Sequence, residues 1–104
     1  MPQWTVWELH EHLEHETDLY VLDVRQPREW SAGHIHQATF MTGAELPDRV
    51  DAVPKERPVA VVCGSGYRSA VAASLLRHHG WHNVINVLGG MQGWVAAGFD
   101  TTSA

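Results

Sequence analysis

The chain has 104 residues, 44% of them hydrophobic and 18% charged, and its formal net charge at pH 7 is −5. This composition is typical of a globular domain, and the acidic balance argues against nucleic acids and anionic membranes as partners, because both bind basic surfaces. The single cysteine excludes an internal disulfide and a multi-cysteine metal site, and it favours a reducing compartment.

The first predicted element is a helix with a capping motif at its N-terminus. Thr5 and Glu8 match a capping box, and the helix is expected to run to about residue 14. The preceding residues lack the basic and apolar segments of a signal peptide, and no apolar run is long enough to cross a bilayer. We therefore expect a cytoplasmic protein with no membrane partner.

Short apolar runs then alternate with helical patterns to the end of the chain. The predicted strands are residues 20–24, 39–40, 59–62 and 84–87. The predicted helices are residues 27–32, 43–52 and 69–79 and a last short helix after Gly89-Gly90. The packed side of helix 69–79 is expected to carry Val71, Ala72, Leu75 and Leu76. This alternation predicts an α/β fold, one domain over residues 1–104, with a mostly parallel sheet covered by helices on both faces.

The only cysteine, Cys63, lies between a predicted strand and a predicted helix, in the segment CGSGYRS (63–69). Ligands bind beyond the carboxyl ends of parallel strands, and a helix N-terminus presents free N–H groups and partial positive charge. Gly64 and Gly66 let further amides turn toward one centre, and Arg68 adds a full charge. We therefore expect the pKa of Cys63 to lie below the usual thiol value of about 8.5, which would favour the nucleophilic thiolate. The alternative is a buried structural cysteine at a strand end.

Three segments resemble the rhodanese family of thiosulfate and sulfane sulfurtransferases. They are LDVRQPREWSAGHI (22–35), CGSGYRS (63–69) and NVINVLGGMQGW (83–94), in the family's order and spacing. The segment after GHI departs from the family, because Gln37-Ala38 stands where a Gly-Ala turn is usual. The loop is also similar to rhodanese modules fused to metallo-β-lactamase-fold persulfide-processing enzymes. The resemblance implies a rhodanese-like fold, a five-stranded parallel sheet flanked by helices.

The resemblance also implies roles for individual residues. Cys63 would be the catalytic nucleophile, and the substrate-binding residues would be Gly64, Ser65, Gly66, Tyr67, Arg68 and Ser69. Family members use residues at the positions of Asp23 and Arg25 to hold loops together, and Glu29 is the expected partner of Arg25. His34 is assigned a structural hydrogen bond rather than a role as base, and Tyr67 is expected to point outward at the mouth of the loop.

The length of the loop separates two enzyme classes. Four residues lie between Cys63 and Arg68, whereas tyrosine-phosphatase-like and arsenate-reductase-like sites have five. The smaller ring, by the resemblance, suits a persulfide sulfur better than a tetrahedral oxyanion. The 8 histidines lack the spacing of a ligand set, so we expect no metal and no cofactor.

These observations predict a sulfurtransferase. Cys63 would take sulfane sulfur from thiosulfate or a persulfide and pass it to cyanide, a small thiol or a protein thiol. Two alternatives stay open: a non-catalytic module that uses the loop only to bind a partner or an anion, and a cysteine-dependent phosphatase or arsenate reductase.

Overall fold

Five short strands form one parallel sheet in the order β1-β5-β4-β2-β3. The structure is a computed structural model that describes residues 2–16 and 18–103. The strands are β1 (Gln3–Trp4), β2 (Tyr20–Asp23), β3 (Ala38–Phe40), β4 (Val59–Val62) and β5 (Val84–Val87). Each neighbouring pair is parallel, so all carboxyl ends meet at one edge of the sheet. Cys63 directly follows β4, the middle strand, and therefore lies at the centre of that edge.

Helices cover both faces of this sheet, as predicted. They are α1 (Val6–His15), α2 (Pro27–Ala32), α3 (Leu46–Arg49), α4 (Tyr67–His78) and α5 (Gly90–Ala96), and a 3-10 turn (Val50–Ala52) follows α3. One core lies between the sheet and α3 and α4, where Leu46 and Leu76 pack against β2 and β4. The other lies between the sheet and α1 and α5, where Leu9 and Trp94 are buried. The inner strands β4 and β5 are buried at every residue because both of their faces are covered, whereas the edge strands β1 and β3 expose Gln3 and Thr39.

The capping box predicted at the start of α1 is confirmed. The Glu8 amide donates to the Thr5 hydroxyl at 3.2 Å, and the Thr5 amide donates to the Glu8 carboxylate at 2.9 Å. Two N–H groups that the helix itself cannot satisfy are thereby paired.

Three local predictions differ from the structure. The helix predicted over 43–52 is broken into a turn, α3 and the 3-10 turn, because Arg49 leaves helical geometry at φ −132°. Of the predicted packed residues of α4, Ala72 and Leu76 are buried and Leu75 packs against the core, but Val71 is 59% exposed and Ala73 is buried in its place. The strand β1 was not predicted, since two residues are too few to show a period.

None of the helices within the described residues combines the length and the apolar character that crossing a bilayer requires.

Candidate active site

The loop between β4 and α4 closes around the sulfur of Cys63. The residue is completely buried, and Gly66, with φ 111°, is the N-cap of α4. This left-handed conformation turns the Gly66 amide inward, where it donates to Sγ over 3.1 Å. The loop therefore directs a backbone N–H group at the sulfur, as the two glycines predicted.

Burial and hydrogen bonding act in opposite directions on the pKa of this thiol. Burial raises the pKa of Cys63, but hydrogen bonds from the Ser69 hydroxyl and from the amides of Ser69, Gly66 and Ser65 lower it more. The pKa consequently lies below the usual thiol value, as expected. The cause is local hydrogen bonding to the charged sulfur, which favours the anion even where water is excluded.

Arg68 does not point a free charge at the sulfur. Its guanidinium forms two hydrogen bonds with the Glu29 carboxylate, Nη1 to Oε1 at 2.7 Å and Nη2 to Oε2 at 2.9 Å. The prediction that Glu29 pairs with Arg25 is therefore wrong. Arg25 instead forms a buried ion pair with Asp23, in which Nη2 lies 2.9 Å from Oδ2. The Arg25 guanidinium is paired with the Asp23 carboxylate, and the Glu29 carboxylate pairs with Arg68 instead.

The Asp23–Arg25 pair holds two loops together, which agrees with its predicted role. Arg25 also donates from Nη2 to the Gly33 carbonyl at 2.8 Å, which ties the end of β2 to the end of α2. His34 follows at once, and its Nδ1 lies 2.8 Å from the Trp30 carbonyl while its ring stacks on the Trp30 ring. The His34 backbone pairs with Thr102 near the end of the chain. These contacts support a structural role for His34.

The Arg68–Glu29 pair lies against the loop between β4 and α4. A Cβ placed on Gly64 would lie 2.9 Å from Nη2 of Arg68, so the guanidinium rests directly on the bare Gly64 backbone. Tyr67, by contrast, is 78% exposed and points away from the loop, as predicted. Within residues 2–16 and 18–103, no three side chains of the His, Cys, Asp and Glu types gather as a metal site would require.

Two further parts of the site were missed by the sequence analysis. The first turn of α5 supports the loop, because the Met91 amide donates to the Cys63 carbonyl at 2.7 Å and the Gln92 amide to the Gly64 carbonyl at 2.9 Å. Gly90 permits this approach, since a Cβ there would lie 2.3 Å from the Cys63 carbonyl oxygen. Asn86, the one polar residue of β5, is buried behind Ser69. The signals that could have revealed them are the Gly89-Gly90 pair and an amide inside an apolar strand.

The ion pair of Glu29 predicts a pH-dependent contribution to stability. Its hydrogen bonds with Arg68 lower the pKa of Glu29 from 4.5 to about 2, with burial opposing and the Gln26 amide assisting. A depressed folded-state pKa stabilises the fold above pH 4.5, and this stabilisation is lost as the pH falls toward 2. Glu29→Gln should therefore lower the melting temperature at pH 6, and the difference from wild type should shrink progressively below pH 4.5.

Glu56→Gln is the matched control, because Glu56 is an exposed carboxylate in the loop before β4. Thermal unfolding followed by circular dichroism from pH 2 to pH 7 would test the expectation. A Glu29→Gln difference that stayed constant across this range would contradict the assigned role of the ion pair.

Comparison with known proteins places this site in a family. The rhodanese-like domain family matches residues 5–97. The chain is 33% identical over 90 residues to a sulfurtransferase of Allochromatium vinosum, covering 86% of this chain and 84% of the relative. It is 35% identical over 72 residues to the thiosulfate sulfurtransferase GlpE of Tolumonas auensis, covering 69% and 68%. A rhodanese-related protein of Thermoplasma volcanium superposes over 100% of both chains with a TM-score of 0.91 and 29% identity. The chain therefore belongs to the rhodanese family, and its enzymatic class is that of the rhodanese-type sulfurtransferases.

Proposed function

We propose that Cys63 carries sulfane sulfur as a persulfide between a small donor and a thiol or cyanide acceptor. The observation that supports this most is the pair of hydrogen bonds at Sγ, one that it accepts from the Gly66 amide at 3.1 Å and one that it shares with the Ser69 hydroxyl at 3.4 Å. They favour a thiolate in a loop whose remaining amides can hold charge on a second sulfur. The proposed site comprises Cys63 and residues 64–69.

The cycle has two displacement steps. In the first, the Cys63 thiolate attacks the outer sulfur of thiosulfate or of a persulfide. A bond from Sγ to that sulfur forms, the donor's S–S bond breaks, and sulfite or a thiolate leaves with the electron pair. In the second, cyanide or an acceptor thiolate attacks the outer sulfur, the bond to Sγ breaks, and Cys63 departs as a thiolate. Because the acceptor reacts only after the first product has left, ping-pong kinetics are expected.

Two grooves border the loop, although Cys63 itself is buried beneath it. A groove beside Gly64 is lined by Arg25 and Gln92 and can admit a small anion. A second groove, beside Tyr67 and Val71, is mainly apolar and can receive the surface around a protein thiol. No cofactor is needed for either step. Three expectations stay predictions. They are that residues 1–104 form one domain, that the protein is cytoplasmic, and that it is related to the modules fused to metallo-β-lactamase-fold enzymes.

Mass spectrometry of the intact protein tests the proposal directly. After incubation with thiosulfate and removal of excess reagent, the chain should gain the mass of one sulfur atom and lose it again on treatment with cyanide. Cys63 is the only cysteine, so a gain on wild type can be compared with Cys63→Ser, which should take up none. A module that only binds anions would gain no covalent sulfur, and that result would overturn the proposal.

A further inference from the structure

A continuous chain of hydrogen bonds runs from the nucleophile into the sheet. Cys63 Sγ lies 3.4 Å from the Ser69 hydroxyl, and that hydroxyl lies 2.6 Å from Oδ1 of Asn86. Nδ2 of Asn86 lies 3.4 Å from the Gly66 carbonyl, in the same loop as Cys63. Ser69 and Asn86 are both buried, so water does not satisfy these groups.

The partners determine the direction of each bond. The Gly66 carbonyl can only accept, so the Asn86 amide nitrogen faces it and Oδ1 faces Ser69. Since Oδ1 can only accept, the Ser69 hydroxyl donates its one proton to Asn86 when Cys63 is a thiol. The thiol in turn donates to the Ser69 oxygen. In this state every member of the chain is satisfied.

Ionisation of Cys63 changes which acceptor should hold that proton. A thiolate accepts from the Gly66 amide and gains from a second donor, which the Ser69 hydroxyl can supply only by turning from Asn86 toward Sγ. This rotation leaves Oδ1 of Asn86 buried without its short hydrogen bond, which is unfavourable.

We propose that Asn86 is a positioning residue that competes with the Cys63 sulfur for the single proton of Ser69. The inference rests on the proposed role of Cys63 as sulfur carrier. In the free thiolate Ser69 donates to Sγ. Once a persulfide forms, the charge moves to the outer sulfur and Sγ becomes a poor acceptor, so the hydroxyl returns to Asn86. Asn86 thus gives the proton of Ser69 a second acceptor at the stage when Sγ is neutral, and favours the persulfide relative to the thiolate.

The charged groups around the loop form two ion pairs. Arg68 of α4 pairs with Glu29 of α2, and Arg25 pairs with Asp23 at the end of β2. The other two elements that contact the loop contribute no charge. Backbone N–H groups of α5 donate to the loop, and the neutral Asn86 side chain of β5 donates to the Gly66 carbonyl. Substitution of Asn86 by another neutral residue therefore changes hydrogen bonding at Ser69 while both ion pairs stay in place.

A double-mutant cycle tests the proposal. Asn86→Val removes the competing acceptor and keeps a β-branched residue in β5, while the Gly66 carbonyl retains the Ala70 amide at 3.3 Å. The thiolate of Cys63 would be titrated by its ultraviolet absorbance, taken as the difference from a matched Cys63→Ser protein. Asn86→Val should move the midpoint to lower pH and raise the thiolate fraction below it by roughly threefold or more. Ser69→Ala should move the midpoint to higher pH.

The double variant separates positioning from a merely structural role. If Asn86 acts through the hydroxyl, Asn86→Val should have no further effect in the Ser69→Ala background. An equal downward shift in both backgrounds, or no shift in either, would overturn the proposal.

Asn86→Asp provides a second variant in case Asn86→Val unfolds. Either form of the new carboxyl still accepts from Ser69, so the midpoint should stay at or above that of wild type. A fall would overturn the proposal. The titration requires no sulfur transfer. The proposal for Asn86 can therefore be overturned while thiosulfate still adds sulfur to Cys63, and it can be supported even if no sulfur is added. The two proposals are therefore distinguishable.

Discussion

Gly90→Ala is expected to reduce thiosulfate:cyanide sulfur transfer by about a hundredfold, because misplacing reacting groups by about 1 Å has an effect of that size. The added Cβ would lie 2.3 Å from the Cys63 carbonyl oxygen and 2.8 Å from the Gly64 carbonyl group. Both neighbours are backbone atoms of the loop between β4 and α4, so the strain cannot be relieved by turning a side chain. We expect α5 and the loop to separate, with loss of the bonds that Met91 and Gln92 donate.

Gly98→Ala is the matched control for this substitution. Gly98 also has a positive φ, of 82°, but a Cβ there meets nothing within 4 Å. It should cost about 1–2 kcal/mol of backbone strain and leave kcat/KM near the wild-type value. Steady-state kinetics and thermal unfolding of both variants would measure the difference. Near-normal transfer by Gly90→Ala would show that the contact with α5 does not position the loop.

Enlarging the loop by one residue should abolish sulfur transfer. A glycine inserted after Ser65 changes the four-residue spacing between Cys63 and Arg68 to five. The Gly66 amide, now 3.1 Å from Sγ, would be displaced, and Arg68 would lose its register with Glu29. The insertion should therefore lower transfer by roughly a hundredfold or more and allow weak phosphate binding, whereas wild type should not hydrolyse an aryl phosphate.

A glycine inserted after Glu56, in the exposed loop before β4, controls for chain lengthening in general. That variant should transfer sulfur at nearly the wild-type rate, because surface loops tolerate insertions. Both variants would be assayed with thiosulfate and cyanide and then with an aryl phosphate. Rapid aryl phosphate hydrolysis by wild type, or full sulfur transfer after insertion at Ser65, would restore the phosphatase interpretation.

The features that could be predicted from the sequence are those encoded by neighbouring residues. The capping box of α1 needs only Thr5 and Glu8, and β4 and β5 are apolar runs because both faces are covered. Placement of Cys63 at the carboxyl edge follows from a strand, a glycine loop and a helix in succession. Local sequence therefore predicted where Cys63 lies in the sheet and the direction of its pKa shift, while its role as nucleophile stays a proposal.

The features that could not be predicted depend on residues distant in the chain. Glu29 and Arg68 are 39 positions apart, and nothing local distinguishes Arg68 from Arg25 as the partner of Glu29. Asn86 contacts Ser69 only because the fold places β5 beside α4, and the two residues are 17 positions apart in the sequence. One residue of the buried side of α4, Val71, was misassigned for the same reason, because only the position of the sheet decides that Ala73 is buried and Val71 is not.

The hydrogen bonds between α5 and the loop that follows β4 set an order on the assembly of the protein during synthesis. Cys63 emerges from the ribosome well before Met91, whose amide holds the Cys63 carbonyl, and β1 must wait for β5 to pair. A nascent chain that ends before residue 90 thus contains the cysteine but lacks the support for its loop. Gly66 and Ser69, which form hydrogen bonds with Sγ, are already present in such a chain, but the two bonds from α5 that hold the loop backbone are not. The loop therefore reaches its final geometry only when the last helix has been synthesised and folded.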